Sequence, residues 1–292
     1  MKHRAYTSEE VKFLLQNYST MSVKNCARKL GRSEIAIINK ANDLKLRSNK
    51  TLHWKTAKGR IKPIEDCKLT NLDFLKLDTP TRCYLLGLLW ADGYLSSDNK
   101  KSLFMYLKES DMLCLKSLIK SVLPVTFYSR NVKGRKPQIC MYIYSSHLTK
   151  KLISDFQFSE KSNKIFIPKK IKGELLKYFL RGYIDGDGCF SISDCKRTGR
   201  ASFSVPSFNI CSTYHYDWSE LEDIAKEMNI YYRIYRYKSK KKKSSFSRFI
   251  ICRQSDMIIW IDYLYSGKFN GIGLKRKFDV AMKIKSYINR PK

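Results

Sequence analysis

Two apolar runs with the same internal order divide the chain. Residues 85–95 read LLGLLWADGYL and residues 180–190 read LRGYIDGDGCF. Each run has a glycine at its third position, a small residue four positions later, and then Asp-Gly. The two aspartates, Asp92 and Asp187, are 95 positions apart (187 minus 92). The repetition predicts two half-domains, each organised around one copy.

The small residues of the two runs predict a close contact between helices. In a helix, Gly87 and Ala91 lie on one face, as do Gly182 and Gly186 in the second copy. A glycine inside a helix costs about 1 kcal/mol relative to alanine. Helices that keep such residues gain from the missing side chains, and packing of the two copies against each other supplies that gain.

The Asp-Gly pairs that end both runs predict a metal site. Gly93 and Gly188 suit the left-handed conformation that ends a helix, which leaves Asp92 and Asp187 in the last turns. Two carboxylates there repel each other, and the helix dipole disfavours them further. The arrangement therefore predicts a divalent cation, and hard oxygen ligands suit Mg²⁺, with Mn²⁺ as a substitute.

The pattern after each run predicts two hairpins and two helices, with one strand face in the core and the other available to a ligand. In the best example, Ile139, Met141 and Ile143 alternate with Gln138, Cys140, Tyr142 and Tyr144. The first half is expected to have strands at 94–97, 102–108, 125–132 and 138–144, and helices at 110–122 and 146–156. The second is expected to have strands at 189–194, 202–211, 231–238 and 246–252, and helices at 216–228 and 255–265.

The stretch from residue 6 to residue 46 predicts three short helices. A capping box at Thr7–Glu10 starts the first, Gly31 ends the second, and the third has Ile37, Ile38 and Ala41 facing inward. The short glycine-containing turn before the third helix is helix-turn-helix geometry, in which the second helix of the pair enters the DNA major groove. A helical cap without DNA contact is the alternative.

The net charge indicates the class of binding partner, and the cysteine content indicates the cellular compartment. The 292 residues include 57 Lys and Arg against 26 Asp and Glu, a net charge of +31. Such a field attracts polyanions, so nucleic acid is the leading partner and an anionic membrane surface the rival. No apolar run reaches the roughly 18 residues of a membrane span, so no membrane partner is expected. The nine cysteines form no CxxC pair, which favours reduced thiols in the cytoplasm or with the nucleoid.

The motifs LLGLLWADG and LRGYIDGDG resemble those of a single-chain LAGLIDADG homing endonuclease. The resemblance implies an α+β fold in which two pseudo-symmetric αββαββα half-domains form a DNA-binding β-saddle. The N-terminal segment resembles the Myb-like or resolvase-like helix-turn-helix modules joined to some such enzymes. The expected divisions are a small all-α helix-turn-helix domain at 1–48, a basic linker at 49–77, and half-domains at 78–168 and 169–292.

The resemblance also implies an activity: site-specific double-strand DNA cleavage by hydrolysis of phosphodiester bonds with divalent metal ions. Asp92 and Asp187 would be both catalytic residues and metal ligands. Family members hold a lysine after the last helix of each half. The corresponding lysines here are Lys161 and Lys275, with Lys164 and Lys277 as near alternatives. The protein is expected to act as a monomer on a double-stranded DNA target.

The residues expected to contact DNA come from the third helix, the outward strand faces and a basic hairpin tip. They are Arg32, Asn39, Lys40, Lys108, Gln138, Tyr142, Arg233, Tyr235, Lys240, Lys241 and Lys242. Lys108 is also a weaker candidate for a position close to the metal ligands. Lysines and arginines of the linker, Lys50, Lys55, Lys58, Arg60 and Lys62, could add phosphate contacts without sequence information.

Two other functions remain open at this point. An RNA splicing maturase would use the same scaffold to bind intron RNA, and a DNA-binding regulator would use an inactive copy of the fold. The intact Asp92 and Asp187 argue against the regulator. Asp185 is a third carboxylate, but Trp90 stands at its position in the first copy. Asp185 is therefore expected to pair with a basic neighbour rather than to catalyse.

Overall fold

A computed structural model describes residues 5–18, 21, 23–44, 46, 55–56, 59–60, 73–96, 101–130, 134, 136–195, 203–238 and 245–290. The chain divides into two compact units, residues 1–68 and residues 69–292. Within the described ranges, no helix is long and apolar enough to cross a membrane.

The first unit contains the three helices that the sequence predicts. They are α1 (Ser8–Asn17), α2 (Val23–Leu30) and α3 (Glu34–Asp43). Leu14, Cys26, Ile37 and Ala41 form their common core. Gly31 has a positive φ of 62° and reverses the chain between α2 and α3. Two short antiparallel strands follow, β1 (Lys55–Thr56) and β2 (Gly59–Arg60).

The outward face of α3 differs from the prediction. Ile38 was expected to face inward, but 41% of its surface is exposed, and Ile35 is 71% exposed. Successive residues on a helix are about 100° apart, so a core built on Ile37 and Ala41 leaves Ile38 at the side of the helix. The third helix therefore presents two large apolar side chains to solvent.

The second unit consists of two halves with the same order of elements. The first half contains α4 (Pro80–Asp92), β3 (Gly93–Leu95), β4 (Ser102–Lys108), α5 (Glu109–Lys120), β5 (Thr126–Arg130), β6 (Gln138–Tyr144) and α6 (Ser146–Phe156). The second contains α7 (Leu176–Asp187), β7 (Gly188–Cys195), β8 (Phe203–Thr213), α8 (Ser219–Glu227), β9 (Arg233–Tyr237), β10 (Phe246–Ile251) and α9 (Gln254–Tyr265).

Each half contains one antiparallel sheet of four strands. The strand orders are β3-β4-β6-β5 and β7-β8-β10-β9, so corresponding strands occupy corresponding places in the two sheets. Inward residues such as Ile139, Met141 and Ile143 are buried, as their alternation predicts. The α+β fold with two αββαββα halves is confirmed.

One helix was missed by the sequence analysis. α10 (Lys275–Ile288) follows the second half and packs on α9 and β7. Ala281 and Ile284 are its buried residues, and their spacing of three is a helical signal that could have been found. The first turn of α10 carries two of the candidate lysines, Lys275 and Lys277.

The two motif helices, α4 and α7, form a reciprocal glycine contact. A Cβ atom added to Gly87 would lie 1.9 Å from the carbonyl oxygen of Phe179, and one added to Gly182 would lie 1.9 Å from that of Tyr84. Further along, a Cβ on Gly186 would lie 2.3 Å from the Cβ of Ala91. The backbones therefore touch at positions that are equivalent in the two copies.

The glycines that follow the aspartates do not adopt the predicted conformation. Gly93 has φ −76° and ψ 151°, and Gly188 has φ −81° and ψ 155°, so both are extended rather than left-handed. Each is the first residue of a strand that leaves the helix directly. A Cβ on Gly93 would lie 2.5 Å from the carbonyl oxygen of Leu89. Glycine is needed here for space and not for a positive φ.

Candidate active site

The α4–α7 contact brings the two motif aspartates to the same end of the helix pair. Asp92 is the last residue of α4 and Asp187 the last of α7. A Cβ on Gly186 would lie 2.9 Å from Oδ2 of Asp92, so the Asp92 carboxylate lies over the helix turn that carries Asp187. Both carboxylates follow from the same local sequence, a close-packed helix that ends in Asp-Gly.

The electrostatics of the pair disfavour two bare carboxylates. Burial, and then the charge of Asp187, raise the pKa of Asp92 to about 6. Burial also raises the pKa of Asp187. A cation between the two side chains would reverse both effects, because it favours the charged form of each acid.

Two lysines flank the aspartates, one at the end of each motif helix. Nζ of Lys161 donates to the carbonyl oxygens of Trp90 at 3.0 Å and Ala91 at 2.7 Å. Nζ of Lys277 donates to the carbonyl oxygens of Ile184 at 2.7 Å and Gly188 at 2.6 Å.

Burial lowers the pKa of both flanking lysines. Their charges offset part of the increase that burial causes in the pKa values of the two aspartates. Each lysine therefore caps the end of one motif helix and neutralises part of the local negative charge. This is a favourable use of a cation at a helix C-terminus.

The structure places Lys275, the lysine expected at the second site, away from the aspartates. It is the first residue of α10, and its Nζ bonds both carboxylate oxygens of Asp279 at 2.7 and 2.8 Å on the exposed side of the helix. Lys277 lies two positions further on, about 200° around the helix, and therefore faces the aspartates. In the first half, the alternative Lys164 lies 3.9 Å from Glu160, and Lys161 reaches the site.

Asp185 has different partners from those expected. Its Oδ2 accepts hydrogen bonds from the Tyr84 hydroxyl at 2.9 Å and from the backbone N–H of Leu274 at 2.7 Å. The neighbouring Arg181 instead donates to the carbonyl oxygens of Leu264 and Ile272 and to Asn270. Asp185 thus connects α7 to α4 and to the start of α10. Among the residues that the structure describes, it forms no salt bridge.

Asp185 is expected to make the stability of the fold depend on pH. Burial is the main cause that raises its pKa from 3.8 to about 6, and Oδ1 has no hydrogen-bond partner among the described residues. Between these values the folded state binds more protons than the unfolded state, so this group lowers stability as pH rises from about 4 to about 6.

The Asp185→Asn variant should lack that component. Between pH 4 and pH 7, the wild type should lose roughly 2 to 3 kcal/mol of unfolding free energy relative to the variant. Chemical denaturation at several pH values measures it. Parallel curves for the two proteins would contradict a buried, charged Asp185.

The outward face of the first sheet is rich in aromatic side chains. Tyr94 stacks on Phe104 and Tyr106, with ring centroids 5.2 and 5.7 Å apart, and Tyr142 packs on Phe104 at 4.9 Å. The predicted outward residue Cys140 is fully buried, because it lies between the paired Tyr106 and Tyr128.

Two predicted DNA contacts lie at the end of this sheet. Lys108 and Gln138 pair with each other, and Gln138 also pairs with Arg130, which forms a polar row across three strands. Lys108 is three positions beyond Met105, the partner of Gly93, or about 10 Å along the strand. It is therefore a residue of the outer sheet and not a neighbour of Asp92.

The outward face of the second sheet is more cationic. Arg233 and Tyr235 are exposed on β9, and Arg248 lies beside Tyr235 on β10. Arg248 donates through Nε to the thiol of Cys211 at 3.2 Å. The hairpin-tip lysines Lys240, Lys241 and Lys242 lie outside the described residues.

In the first unit, Arg32 does not lie on the outward face of α3. Its guanidinium donates to both carboxylate oxygens of Glu10 at 3.0 and 2.8 Å and lies 3.8 Å from the ring centre of Tyr6. It therefore holds the start of α3 against α1, because a bidentate pair fixes both side chains. Lys40 is half-buried, 5.5 Å from the same ring, and Asn39 is exposed.

Most of the linker residues that were expected to contact phosphates are not among the described residues. Lys50, Lys58 and Lys62 lie outside the described residues, whereas Lys55 and Arg60 pair with each other as the ends of β1 and β2.

The donor set at the aspartates fits a hard divalent cation. Two carboxylates lie at the same end of α4 and α7, and oxygen is the ligand type that Mg²⁺ prefers. Among the described residues, no group of three or more His, Cys, Asp or Glu side chains is placed to hold a metal. Ligands beyond Asp92 and Asp187 would therefore have to come from water, from backbone carbonyls or from a bound substrate.

A comparison with protein families matches the second half of the chain. Residues 180–288 match the family model described as LAGLIDADG endonuclease. The match covers most of the second half and α10, and it confirms the resemblance inferred from the motifs. The first half repeats the motif and the strand order. Comparison with curated proteins gave no match.

Several solved structures are similar to this chain in fold. One is the I-LtrWI LAGLIDADG homing endonuclease bound to target DNA, 14% identical, covering 75% of this chain and 91% of that one with a TM-score of 0.49. Another is the LAGLIDADG meganuclease I-AabMI bound to uncleaved DNA, 14% identical, covering 72% and 90%, with a TM-score of 0.48. A third is I-SmaMI bound to an uncleaved DNA target in the presence of calcium ions, 14% identical, covering 72% and 94%, with a TM-score of 0.45.

Proposed function

We propose that this protein is a site-specific DNA endonuclease that cuts both strands of a long double-stranded target by phosphodiester hydrolysis. The observation that carries the proposal is the meeting of Asp92 and Asp187 at the base of two reciprocally packed helices, with Lys161 and Lys277 beside them. The family match of residues 180–288 supports the same activity.

The aspartates and the lysines of the site would have different roles. Asp92 and Asp187 would hold Mg²⁺ or Mn²⁺, which supplies Lewis-acid activation of water and of the scissile phosphate. Each half contributes one acid, which suits one cut in each strand. Lys161 and Lys277 fix the last turns of α4 and α7 through the carbonyl oxygens they bond, and so keep the carboxylates oriented.

The outward faces of the two sheets are the proposed DNA surface. Gln138, Tyr142, Arg233 and Tyr235 lie there, and side chains on strands can read all four base pairs in the major groove. The net charge of +31 supplies attraction to phosphates. Because both acids belong to one chain, a monomer suffices, and its place is with DNA in the cytoplasm or nucleoid. We keep the divisions 1–48, 49–77, 78–168 and 169–292 as its proposed domains.

The aromatic side chains of the first sheet bear on RNA as an alternative substrate. Recognition of unpaired RNA bases uses free aromatic faces on a sheet. On the first sheet the faces of Tyr94, Phe104 and Tyr106 are occupied by one another. The aromatic cluster of the first sheet therefore gives the maturase alternative no support.

Cleavage of a randomised library of duplex DNA tests the proposal. Sequencing of the cut ends should recover one long site, cut in both strands in the presence of Mg²⁺ or Mn²⁺. Excess chelator should stop the reaction. Recovery of no preferred site with either metal, or cutting that persists in chelator, would overturn the proposed function.

The two candidate lysines of α10 give a matched pair of variants. Lys277→Met keeps the length of the side chain but removes the charge beside the aspartates, so cleavage should fall by about 10- to 100-fold, as for other groups that support metal ligands. Lys275→Met should leave the rate nearly unchanged, because Lys275 bonds Asp279 on the exposed side. Equal effects of the two substitutions on the cleavage rate would refute the assignment of Lys277.

A further inference from the structure

The outward face of α3 carries an apolar pair that its fold does not use. Ile35 and Ile38 are 71% and 41% exposed and lie one turn apart. Asn39 lies four positions after Ile35 and is also exposed, so the three side chains share one face. A single exposed apolar residue is ordinary, but two large ones together on a short helix indicate a surface that meets a partner.

We propose that Ile35, Ile38 and Asn39 read A·T base pairs in the major groove of duplex DNA. The two isoleucines would contact the C5 methyl group of thymine. The Asn39 amide would form hydrogen bonds with N6 and N7 of adenine. This assignment rests on the proposed function only in taking DNA as the partner. It adds a specificity determinant outside the two half-domains.

The local structure suits α3 to this role. α2 and α3 are joined by the turn at Gly31, and in such pairs the second helix lies in the major groove with its first residues at the base edges. Ile35 and Ile38 lie in the first half of α3. The bidentate pair of Arg32 with Glu10 sets the direction of this helix start relative to α1.

Charge on the neighbouring helix favours DNA over an apolar protein partner. Lys24, Arg28 and Lys29 are exposed on α2, where they could neutralise phosphates at the groove edge. The acidic Glu34 is also exposed, at the first position of α3. A carboxylate there would repel phosphate, but it can accept a hydrogen bond from cytosine N4, so this end of α3 suits bases rather than the backbone.

The chemistry allows a test that changes one methyl group of the DNA. Deoxyuridine differs from thymidine only by lacking the C5 methyl. A duplex target is first selected from the randomised library by binding to the full-length protein, without a cleavage step. Each thymine of that target is then replaced singly by uracil, and the dissociation constant is measured for the full-length protein. Wild type should lose about three- to tenfold in affinity at one or two thymines, the expected effect of one buried methyl group.

Variants assign the effect to α3. Ile35→Ala and Ile38→Ala should bind the thymine and uracil duplexes equally well at those positions, and Asn39→Ala should lose the preference for adenine next to them. Leu15→Ala is the matched control, because it removes another exposed apolar side chain, 55% exposed, from α1 of the same unit. It should keep the full methyl effect. The isoleucines are exposed, so these variants should remain folded, as thermal unfolding can verify.

The outcomes separate this inference from the proposed function. An unchanged methyl effect in Ile35→Ala and Ile38→Ala, or no methyl effect in wild type, would overturn it. So would a lower unfolding temperature of these variants without a change in discrimination, which would mean that protein covers the face. Wild type that discriminates thymine from uracil through α3 but cuts no DNA would leave the inference standing and defeat the proposed function.

Discussion

Asp92→Asn and Asp187→Asn should each abolish double-strand cleavage while leaving specific DNA binding largely intact. Each substitution keeps the size of the side chain and removes one ligand charge. The loss should exceed about 100-fold in rate, since even groups that only support metal ligands cost about 10- to 100-fold. Binding should survive because the proposed DNA contacts lie on the sheets and not at the helix ends.

The measurement is a single-turnover cleavage assay beside a binding assay on the same duplex. Asp279→Asn is a suitable control, because its carboxylate lies on the exposed side of α10 with Lys275. Cleavage by either active-site variant at the wild-type rate would remove Asp92 and Asp187 from the proposed chemistry. Equal loss of binding and cleavage would indicate a folding defect instead.

Gly182→Ala should destabilise the protein by about 3 kcal/mol or more, at the upper end of overpacking effects. At a helix position without such a contact, Gly→Ala stabilises the fold by about 1 kcal/mol. A loss of stability here would therefore be evidence for the helix contact. The new Cβ would lie 1.9 Å from the carbonyl oxygen of Tyr84, a backbone atom that cannot rotate away. Chemical denaturation measures the loss, and an unchanged free energy of unfolding would contradict the helix contact.

Gly186 offers a matched comparison within the same interface. Its added Cβ would meet the Cβ of Ala91 at 2.3 Å, a side-chain atom that can be removed. Gly186→Ala should therefore be destabilising alone and be largely rescued when Ala91→Gly is added, which exchanges the two small residues. The contact that remains, Asp92 Oδ2 at 2.9 Å, involves the end of a side chain that can rotate away. No second substitution of a side chain should rescue Gly182→Ala in this way. Rescue of both variants, or of neither, would show that the contact differs from the one described.

The sequence predicts the parts of the fold that repeat or alternate. The two motifs locate α4 and α7, and the alternation in β6 identifies Ile139 and Met141 as core. The choice between Lys275 and Lys277 could not be made from the sequence, because it depends on where α10 begins and the segment before it has no periodic pattern. One residue of difference in the start of a helix turns a side chain by about 100°.

Other features depend on contacts between distant parts of the chain. Nothing near Arg32 in the sequence indicates that its guanidinium pairs with Glu10, 22 positions earlier. The partners of Asp185 come from α4 and from the residue before α10, so local reasoning could not name them. The extended conformation of Gly93 was missed because the need for space near Leu89 is a property of the folded helix end.

The hydrogen bond between Tyr84 and Asp185 favours pairing of α4 with α7 over pairing of either helix with a second copy of itself. The glycine contact itself is self-complementary, so by backbone shape alone α7 could pair with a second α7. The position equivalent to Tyr84 in α7 is Phe179, which has no hydroxyl to donate to Asp185, and the position equivalent to Asp185 in α4 is Trp90, which cannot accept from Tyr84. Either homotypic pair would lose the Tyr84–Asp185 hydrogen bond, and an α4 pair would also bury two tyrosine hydroxyls without this acceptor, at about 1 to 3 kcal/mol each. One tyrosine and one aspartate thus bias the chain toward closing on itself rather than exchanging halves with another copy.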